Sequence, residues 1–481
     1  MRPSRKMGML VLFAFFPLIA HGSDGAAPPA DTVSTANAAS AQPGTSTVTK
    51  SVPILEMTFQ ERVRTEEWNN LLDFNYATDD ERRQMRYRSR MWFQLTTAPV
   101  LFKAGLANEI TKKYALKPAD VTADRFNSDE TIFEFLYAQF PHLFTPGLTL
   151  TVGRQSVQRG EGFVLWDGTP GDGSRSQYFN AVVASYERNR NTVDVMGMIE
   201  PKRDRYLGII HDQHKYLSDW DEQAFGAYYR NRQRQDIDLD GYYIYKKEIR
   251  DHLAATNALF QPDRQVNTAG ARVVKRYADA LTVTAEFAGQ WGHQHANAAT
   301  DSPAKAIRAW GGFVYARKSF STAWNPYVQA GYWALSGNDP NDTRHAGDFD
   351  PLFSRWPKWS ELYLYALVPE HGVAYWTNNQ MVQLEAGFAP TKKLSLRTTF
   401  YEENAFHPYP KNAAIFGSGT HRGENYQGKA EYSFSPKAVA YVLYENFNPG
   451  SFYAHPGADA YLLQAQVIFT FTDSLKIKKK H

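Results

Sequence analysis

The sequence predicts an all-β fold: a transmembrane antiparallel up-and-down β-barrel of about eighteen strands. Three observations predict it. The 481-residue chain is 14% aromatic, with 28 Tyr and 30 Phe, yet its mean hydropathy of −0.50 is polar. From Ile54 onward, apolar and polar residues alternate in segments of about ten residues. Short connections also take turns with long polar ones, which matches brief periplasmic turns and extended extracellular loops. A spanning helix needs roughly 18 to 20 apolar residues in a row, and no mature segment supplies them.

The first 22 residues form a separate unit. Arg2, Arg5 and Lys6 precede the apolar run Met7–Ala20, and small residues follow, as in a secretory signal peptide. Residues 23–51 are Ala, Ser, Thr, Pro and Gly with little else, the composition of a disordered periplasmic leader. The barrel is expected over 52–471 and a basic tail over 472–481. The chain has no cysteine, so it reaches an oxidising compartment without disulfide chemistry. A net charge of +3 gives no reason to expect nucleic acid as a partner.

The strands follow in order, with centres near Phe59, Phe93, Leu106, Phe135, Val152, Val183, Val195, Tyr228, Gly241, Val273, Ala285, Gly312, Gly331, Leu384, Arg397, Ala430, Tyr441 and Val467. In the second, Met85, Tyr87, Met91, Phe93 and Leu95 share one face while Arg86, Arg88 and Arg90 take the other. In the eleventh, Leu281, Val283, Phe287 and Trp291 oppose Thr282, Thr284, Glu286 and Gln290. The fifteenth sets Leu394, Leu396 and Phe400 against Ser395, Arg397, Thr399 and Tyr401. Ala98-Pro99, Ala278–Ala280, Pro390–Lys393 and Pro436-Lys437 are the brief turns; 111–129, 158–176, 203–221, 337–379 and 404–423 are the long loops. An even count puts both ends of the barrel on the periplasmic side. Backbone satisfaction in lipid then requires the first strand to pair with the last. Eighteen strands enclose an aqueous channel, and any constriction has to come from infolded loops, of which 337–379 is the longest.

At this point an ordered set of motifs resembles a known family. The set is Val152-Gly153-Arg154-Gln155, Gly160-Glu161-Gly162, Leu165-Trp166-Asp167-Gly168-Thr169-Pro170 and Asp172-Gly173-Ser174-Arg175. With Ile132–Tyr137 and Arg355–Glu361, it resembles the alginate export family of outer-membrane proteins, in its broader branch, from about Arg83 to Phe471. The resemblance implies an eighteen-stranded barrel with an arginine-rich selectivity pathway for an anionic polysaccharide. Arg154 matches the family's lumen arginine, and Arg88 or Arg90 an arginine on an early strand. Phe133 stands where the alginate exporter carries an arginine.

The inward faces are the candidate site. Arg86, Arg88, Arg90, Arg154, Arg272, Arg276, Arg308, Arg397 and Lys429 are its cations and Glu134 its leading acid; Arg62, Arg64, Glu56, Asp194, Glu286, Glu385 and Glu431 share the phase. A guanidinium fork binds carboxylates bidentately, and rings of such residues set pore selectivity. The structural alternative is that opposed charges pair across strands and stiffen the wall. Arg86, Arg88 and Arg90 lack acids on their own strand, so their neutralisation is expected to lower anion preference and leave assembly intact. Arg154 continues the apolar phase of Leu148, Leu150 and Val152. A β-bulge near Gly153 is expected to turn it into the lumen, sparing roughly 2 to 4 kcal/mol of mid-bilayer exposure. Asp167–Asp172 reads as a tight loop rather than a calcium site. His211 with His214, and His293 with His295, read as loop histidines, so no metal or cofactor is expected.

Function therefore points to a passive outer-membrane channel for polar or anionic solutes, oligo- or polysaccharides of the alginate type. The alternatives are a general porin and a structural barrel. No nucleophile elbow and no His/Ser pairing on one strand argues for an enzyme. Expected partners are outer-membrane lipid and lipopolysaccharide, an anionic carbohydrate and periplasmic export proteins.

Overall fold

The computed structural model describes residues 53–78, 80–114, 125–166, 179–215, 220–249, 263–296, 303–409 and 411–477. The expected signal peptide, leader and Asp167–Asp172 loop lie outside them. Among the described residues, eighteen long antiparallel strands form one closed sheet. They are β1 Ile54–Asn69, β2 Arg82–Thr97, β3 Val100–Lys113, β4 Arg125–Phe140, β5 Leu148–Gln155 and β6 Phe179–Arg188. Then come β7 Asn191–Glu200, β8 Asp221–Asn231, β9 Ile237–Ile249, β10 Arg264–Arg276, β11 Leu281–Gln294 and β12 Lys305–Ser319. The last six are β13 Tyr327–Leu335, β14 Asn379–Phe388, β15 Leu394–Asn404, β16 His421–Ser435, β17 Ala438–Pro449 and β18 Ala460–Lys476. Each expected centre falls in its own strand.

Closure is long and regular. β1 pairs with β18 from Ile54 opposite Lys476 to Asn69 opposite Tyr461, with no shift of register. The final strand therefore runs five residues past Phe471, and 472–476 belong to the wall rather than to a tail. The reason is pairing: Thr472 lies opposite Thr58 and the two hydroxyls bond at 3.0 Å.

Outward positions are apolar and exposed to the bilayer, as at Val152, Val182, Val314, Val328, Leu384 and Val442. Aromatic residues flank this band. Tyr243, Trp291, Tyr332 and Tyr426 lie toward the long-loop end and Tyr186, Tyr229, Tyr277, Phe388 and Phe469 toward the short-turn end. Two such girdles are what a barrel wall carries at its two interfaces.

The interior is not empty. Residues 336–378, between β13 and β14, fold back into the barrel together with 156–166, between β5 and β6. Phe163, Val164, Leu165, Phe349, Leu352, Phe353, Leu362, Leu364 and Trp376 form one buried cluster with inward-facing Phe179, Met196, Ile244, Phe313 and Trp333. His345–Ala346 adds a short parallel pairing to β12, and Tyr363–Tyr365 makes a single 3₁₀ turn. This packing reverses polarity locally. On β12 the inward phase is Ile307, Ala309, Gly311 and Phe313, because that face covers the infolded core instead of water. Arg308 consequently points outward, correcting its expected lumen position; it stands directly opposite outward-facing Trp291.

The bulge expected at Gly153 is also corrected. β5 pairs with β4 and β6 without a shift, while Gly153 takes φ +123°, a conformation glycine adopts freely. The bulges lie on the other side of the neighbouring strand. Between Gly105 and Leu106 the partner on β4 jumps from Phe135 to Phe133, leaving Glu134 as the extra residue.

Gly311 lets the infolded core come close against the wall. A Cβ there would lie 2.8 Å from the Phe349 ring. Gly311→Val is expected to weaken docking of 336–378 by about 1–3 kcal/mol while the barrel still closes. Increased protease cleavage within 336–378, with unchanged heat-modifiable migration of the barrel, checks this.

Candidate functional site

Two features of the interior carry the chemistry: the anchors of the infolded segments, and the charged wall they leave uncovered.

The anchors are buried ions. The Lys246 ammonium of β9 lies 2.7 Å from Glu248 and 3.1 Å from Asp350 of the inner segment. Gln290 of β11 clasps the Asp350 backbone in both directions: its amide donates to the carbonyl at 2.7 Å and its oxygen accepts the N–H at 2.8 Å. Arg355 reaches Glu222 of β8 at 2.6 Å. On the far wall Arg422 of β16 grips Glu370 through two 2.7 Å bonds and donates to the Tyr363 hydroxyl. Removing one partner of such a buried pair costs roughly 3–5 kcal/mol, because the survivor is left charged and dry. Of these anchor residues, alternation had singled out only the inward side of Gln290. Their signal is an inward polar residue among apolar neighbours, which matters only once something packs against it.

The segment 156–166 reaches deepest. Arg159 donates to Asp194, four residues from the periplasmic turn of β7, at 2.7 Å. Glu161 accepts from Arg272 of β10 at 2.8 Å and from the Tyr315 hydroxyl of β12 at 2.7 Å. Arg272 is thus inward, as expected, but committed to Glu161, Asp240 and Glu286.

Arg62, Arg64, Arg86, Arg88 and Arg90 stand together on β1 and β2, where Arg62 faces Arg88 and Arg64 faces Arg86 across the register. All five are buried. The acids missing from their own strand come from neighbours. Glu109 of β3 bonds Arg62 and Arg86, Glu66 of β1 bonds Arg64 and Arg86, and Glu134 of β4 meets Arg90 at 3.0 Å. Neutralising Arg86, Arg88 and Arg90 is therefore expected to cost stability as well as charge. Five guanidinium groups still outnumber those three carboxylates.

Arg154 is buried at the extracellular end of β5. Asp204, in the connection after β7, accepts both of its terminal nitrogens at 2.6 and 2.7 Å, and the Phe133 carbonyl and Asn180 take the rest. The structure thus places Arg154 in a fixed strand-to-loop clamp.

The periplasmic half is more open, and four of its arginine pairs share an asymmetry that Lys429–Glu431, at 23% and 22%, lacks. Relative exposure is 35% for Arg230 against 0% for Asp194, 30% for Arg232 against 1% for Asp240, and 37% for Arg397 against 9% for Glu385. Arg276 is likewise far more exposed than Asp238. Water entering from the turns meets guanidinium groups whose counter-ions lie behind them. Lys429 sits 4.3 Å over the Tyr441 ring and Arg317 3.7 Å over Tyr327, so cations and aromatic faces alternate along this wall. Arg276, Arg397 and Lys429 were legible from alternation. Arg230 and Arg317, near the turn ends of β8 and β12, were missed, and so was Arg232, which lies in the turn itself.

Glu361 of the inner segment faces this wall. Its backbone N–H donates to Glu445 of β17 at 3.0 Å. Burial pushes its carboxyl from 4.5 up to about 7; Arg64 and Arg86 oppose the shift, and Glu445 and Glu66 add to it. Because the proton binds more tightly in the docked state, its contribution to docking is complete below about 4.5 and lost as pH rises through about 7. Asp350 behaves oppositely. Burial would raise it, but Lys246, Arg264 and Arg355 hold it well below the usual carboxylate range, so its pairs persist to strongly acidic pH. Amide exchange across 356–370, corrected for intrinsic rate, is expected to be slower at pH 5.5 than at pH 8.5. Glu361→Gln is expected to remove that difference.

With this geometry in place, the comparisons with known proteins are informative. The chain matches the family model described as alginate export over residues 55–461. Its fold is similar to OccAB1 of Acinetobacter baumannii, with TM-score 0.51 and 10% identity over 87% of this chain and 96% of that one. It is also similar to the outer membrane protein OpdK of Pseudomonas aeruginosa, with TM-score 0.51 and 12% identity over 87% and 99%. OccK7 (OpdD) of the same organism gives TM-score 0.51 and 12% identity over 88% and 99%. No curated protein matches the chain significantly. At such identities the solved barrels speak for fold alone, and the family match adds the rest: this chain belongs to the alginate export family of bacterial outer-membrane channels.

Proposed function

We propose that this barrel passes anionic oligo- or polysaccharides of the alginate type across the outer membrane by passive diffusion along an arginine-lined path. The reading rests on one observation above the others: in the periplasmic half, Arg230, Arg232, Arg276 and Arg397 are each far more exposed than the carboxylate they pair with. A carboxylated sugar arriving there finds guanidinium forks suited to its carboxylate. It also finds Tyr327 and Tyr441, whose ring faces suit the apolar side of a pyranose. The route continues past Lys429 and Glu361 toward the arginines of β1 and β2. Periplasmic export proteins that hand over a chain would meet the same vestibule. The reading assigns no catalytic step and no cofactor to the barrel.

One observation favours a second reading, a structural barrel that stays shut. The infolded segments form a continuous buried cluster with the wall. Conductance in planar bilayers separates the two.

In a salt gradient the wild-type protein is expected to show anion selectivity and block by polyuronate oligomers, with weaker block by neutral glucans. The triple variant Arg230→Gln, Arg276→Gln, Arg397→Gln is expected to lose most of that selectivity and to keep its assembly, since each side chain is at least a third exposed. An unchanged reversal potential in the triple variant would contradict the reading, and no conductance at all would favour the shut barrel.

A further inference from the structure

The outward wall of β8 to β12 carries a group of cations that the lumen does not use. Arg308 of β12 lies directly opposite Trp291 of β11, which in turn lies opposite Asn267 of β10. Asn267 accepts the Tyr243 hydroxyl at 2.7 Å. One outward position higher runs a second row, Lys247 of β9, Gln265 of β10 and His293 of β11, each opposite the next. Arg308, Lys247 and His293 are all exposed. Among the described residues, neither Arg308 nor Lys247 has a carboxylate at salt-bridge distance. Asp263, at the mouth of β10 above Gln265, is the acid of these columns.

These residues sit at the extracellular aromatic girdle. Trp291, Tyr243 and Trp310 are exposed on the outward face, and the Tyr243 and Trp291 rings lie 6.3 Å apart. An uncompensated cation on a barrel's lipid face costs roughly 2–4 kcal/mol at the midplane and about 0–1 kcal/mol at the interface. Arg308 and Lys247 therefore belong at headgroup height, where the bilayer supplies the counter-charge. Phosphate is the group that supplies it, and Arg is its preferred fork. From the strand spacing, Lys247 and Arg308 are about 16 Å apart, three inter-strand steps across and two residues along the strand. That span exceeds one phosphate and suits a headgroup bearing two. The polar residues between them, Gln265, Asn267 and His293, suit sugar hydroxyls. The wall further round the barrel contrasts: on β15 and β16 the outward pair Glu402 and Glu424 face each other directly.

We propose that the outward face of β9 to β12 is a binding site for a phosphorylated glycolipid of the outer leaflet, held by Lys247 and Arg308 with Trp291 beneath its sugars. The inference does not rest on the lumen reading. Native mass spectrometry of delipidated protein, titrated with bisphosphorylated lipid A, dephosphorylated lipid A and phosphatidylglycerol, tests it. Bisphosphorylated lipid A is expected to bind about tenfold or more tightly than either other lipid. The variant Lys247→Gln/Arg308→Gln is expected to erase that preference, and Glu402→Gln/Glu424→Gln on β15 and β16 to keep it. Lys247 and Arg308 are exposed, and Glu402 and Glu424 are half-buried on the outward face, so closure of the sheet is preserved in both variants. Equal binding of the two lipid A forms, equal binding of phosphatidylglycerol, or an undiminished preference in the Lys247/Arg308 variant would each overturn the proposal.

Discussion

The structure depends on one constraint: backbone amides in hydrocarbon have no water to bond, so the sheet must close on itself. Sixteen consecutive residues of β1 meet β18 without interruption. Everything else is arranged around that seam. Closure fixes the register of every strand, and register decides which side chains look inward. The extension of β18 to Lys476 follows from the same demand, because ending at Phe471 would leave Ile54–Thr58 with an unpaired edge.

Closure leaves an interior to be filled or kept wet, and this barrel does both. Where residues 156–166 and 336–378 fold in, inward positions turn apolar, as at Phe179, Met196 and Phe313, and buried ions fasten the segments to the wall. Where they do not reach, the wall stays polar, and Arg230, Arg232, Arg276 and Arg397 project past their acids. A charge buried behind its partner contributes little field to the lumen, and an exposed guanidinium contributes most. The asymmetry of Arg230 with Asp194 and of Arg397 with Glu385 therefore matters more than the near balance of total charge.

Much of the wall was legible in the sequence. Period-two alternation identified every strand centre and the inward side of Arg86, Arg272 and Arg397, because lipid on one side and water on the other impose opposite chemistry on successive residues. The failures have one physical origin. Alternation assumes that inward means polar, and a barrel that swallows its own loops violates that assumption. Arg308 was assigned inward for being polar, although Ile307 and Ala309 hold that phase against the infolded core. The anchors Lys246, Arg264 and Arg422 carried no signal of their own, since their partners Asp350 and Glu370 lie far along the chain. At Arg154, alternation correctly found a conflict and misplaced its remedy, which is a glycine twist and a salt bridge to Asp204.

The absence of cysteine makes the central claim directly measurable. Gln329 faces inward between Arg317 and Glu385, and its neighbour Val328 faces lipid. Cysteine placed singly at each position, in native membranes, should report opposite environments to membrane-impermeant thiol reagents. Position 329 is expected to react, faster with an anionic methanethiosulfonate than with a cationic one, and position 328 with neither. Preference for the cationic reagent at 329, or equal labelling at both positions, would contradict it.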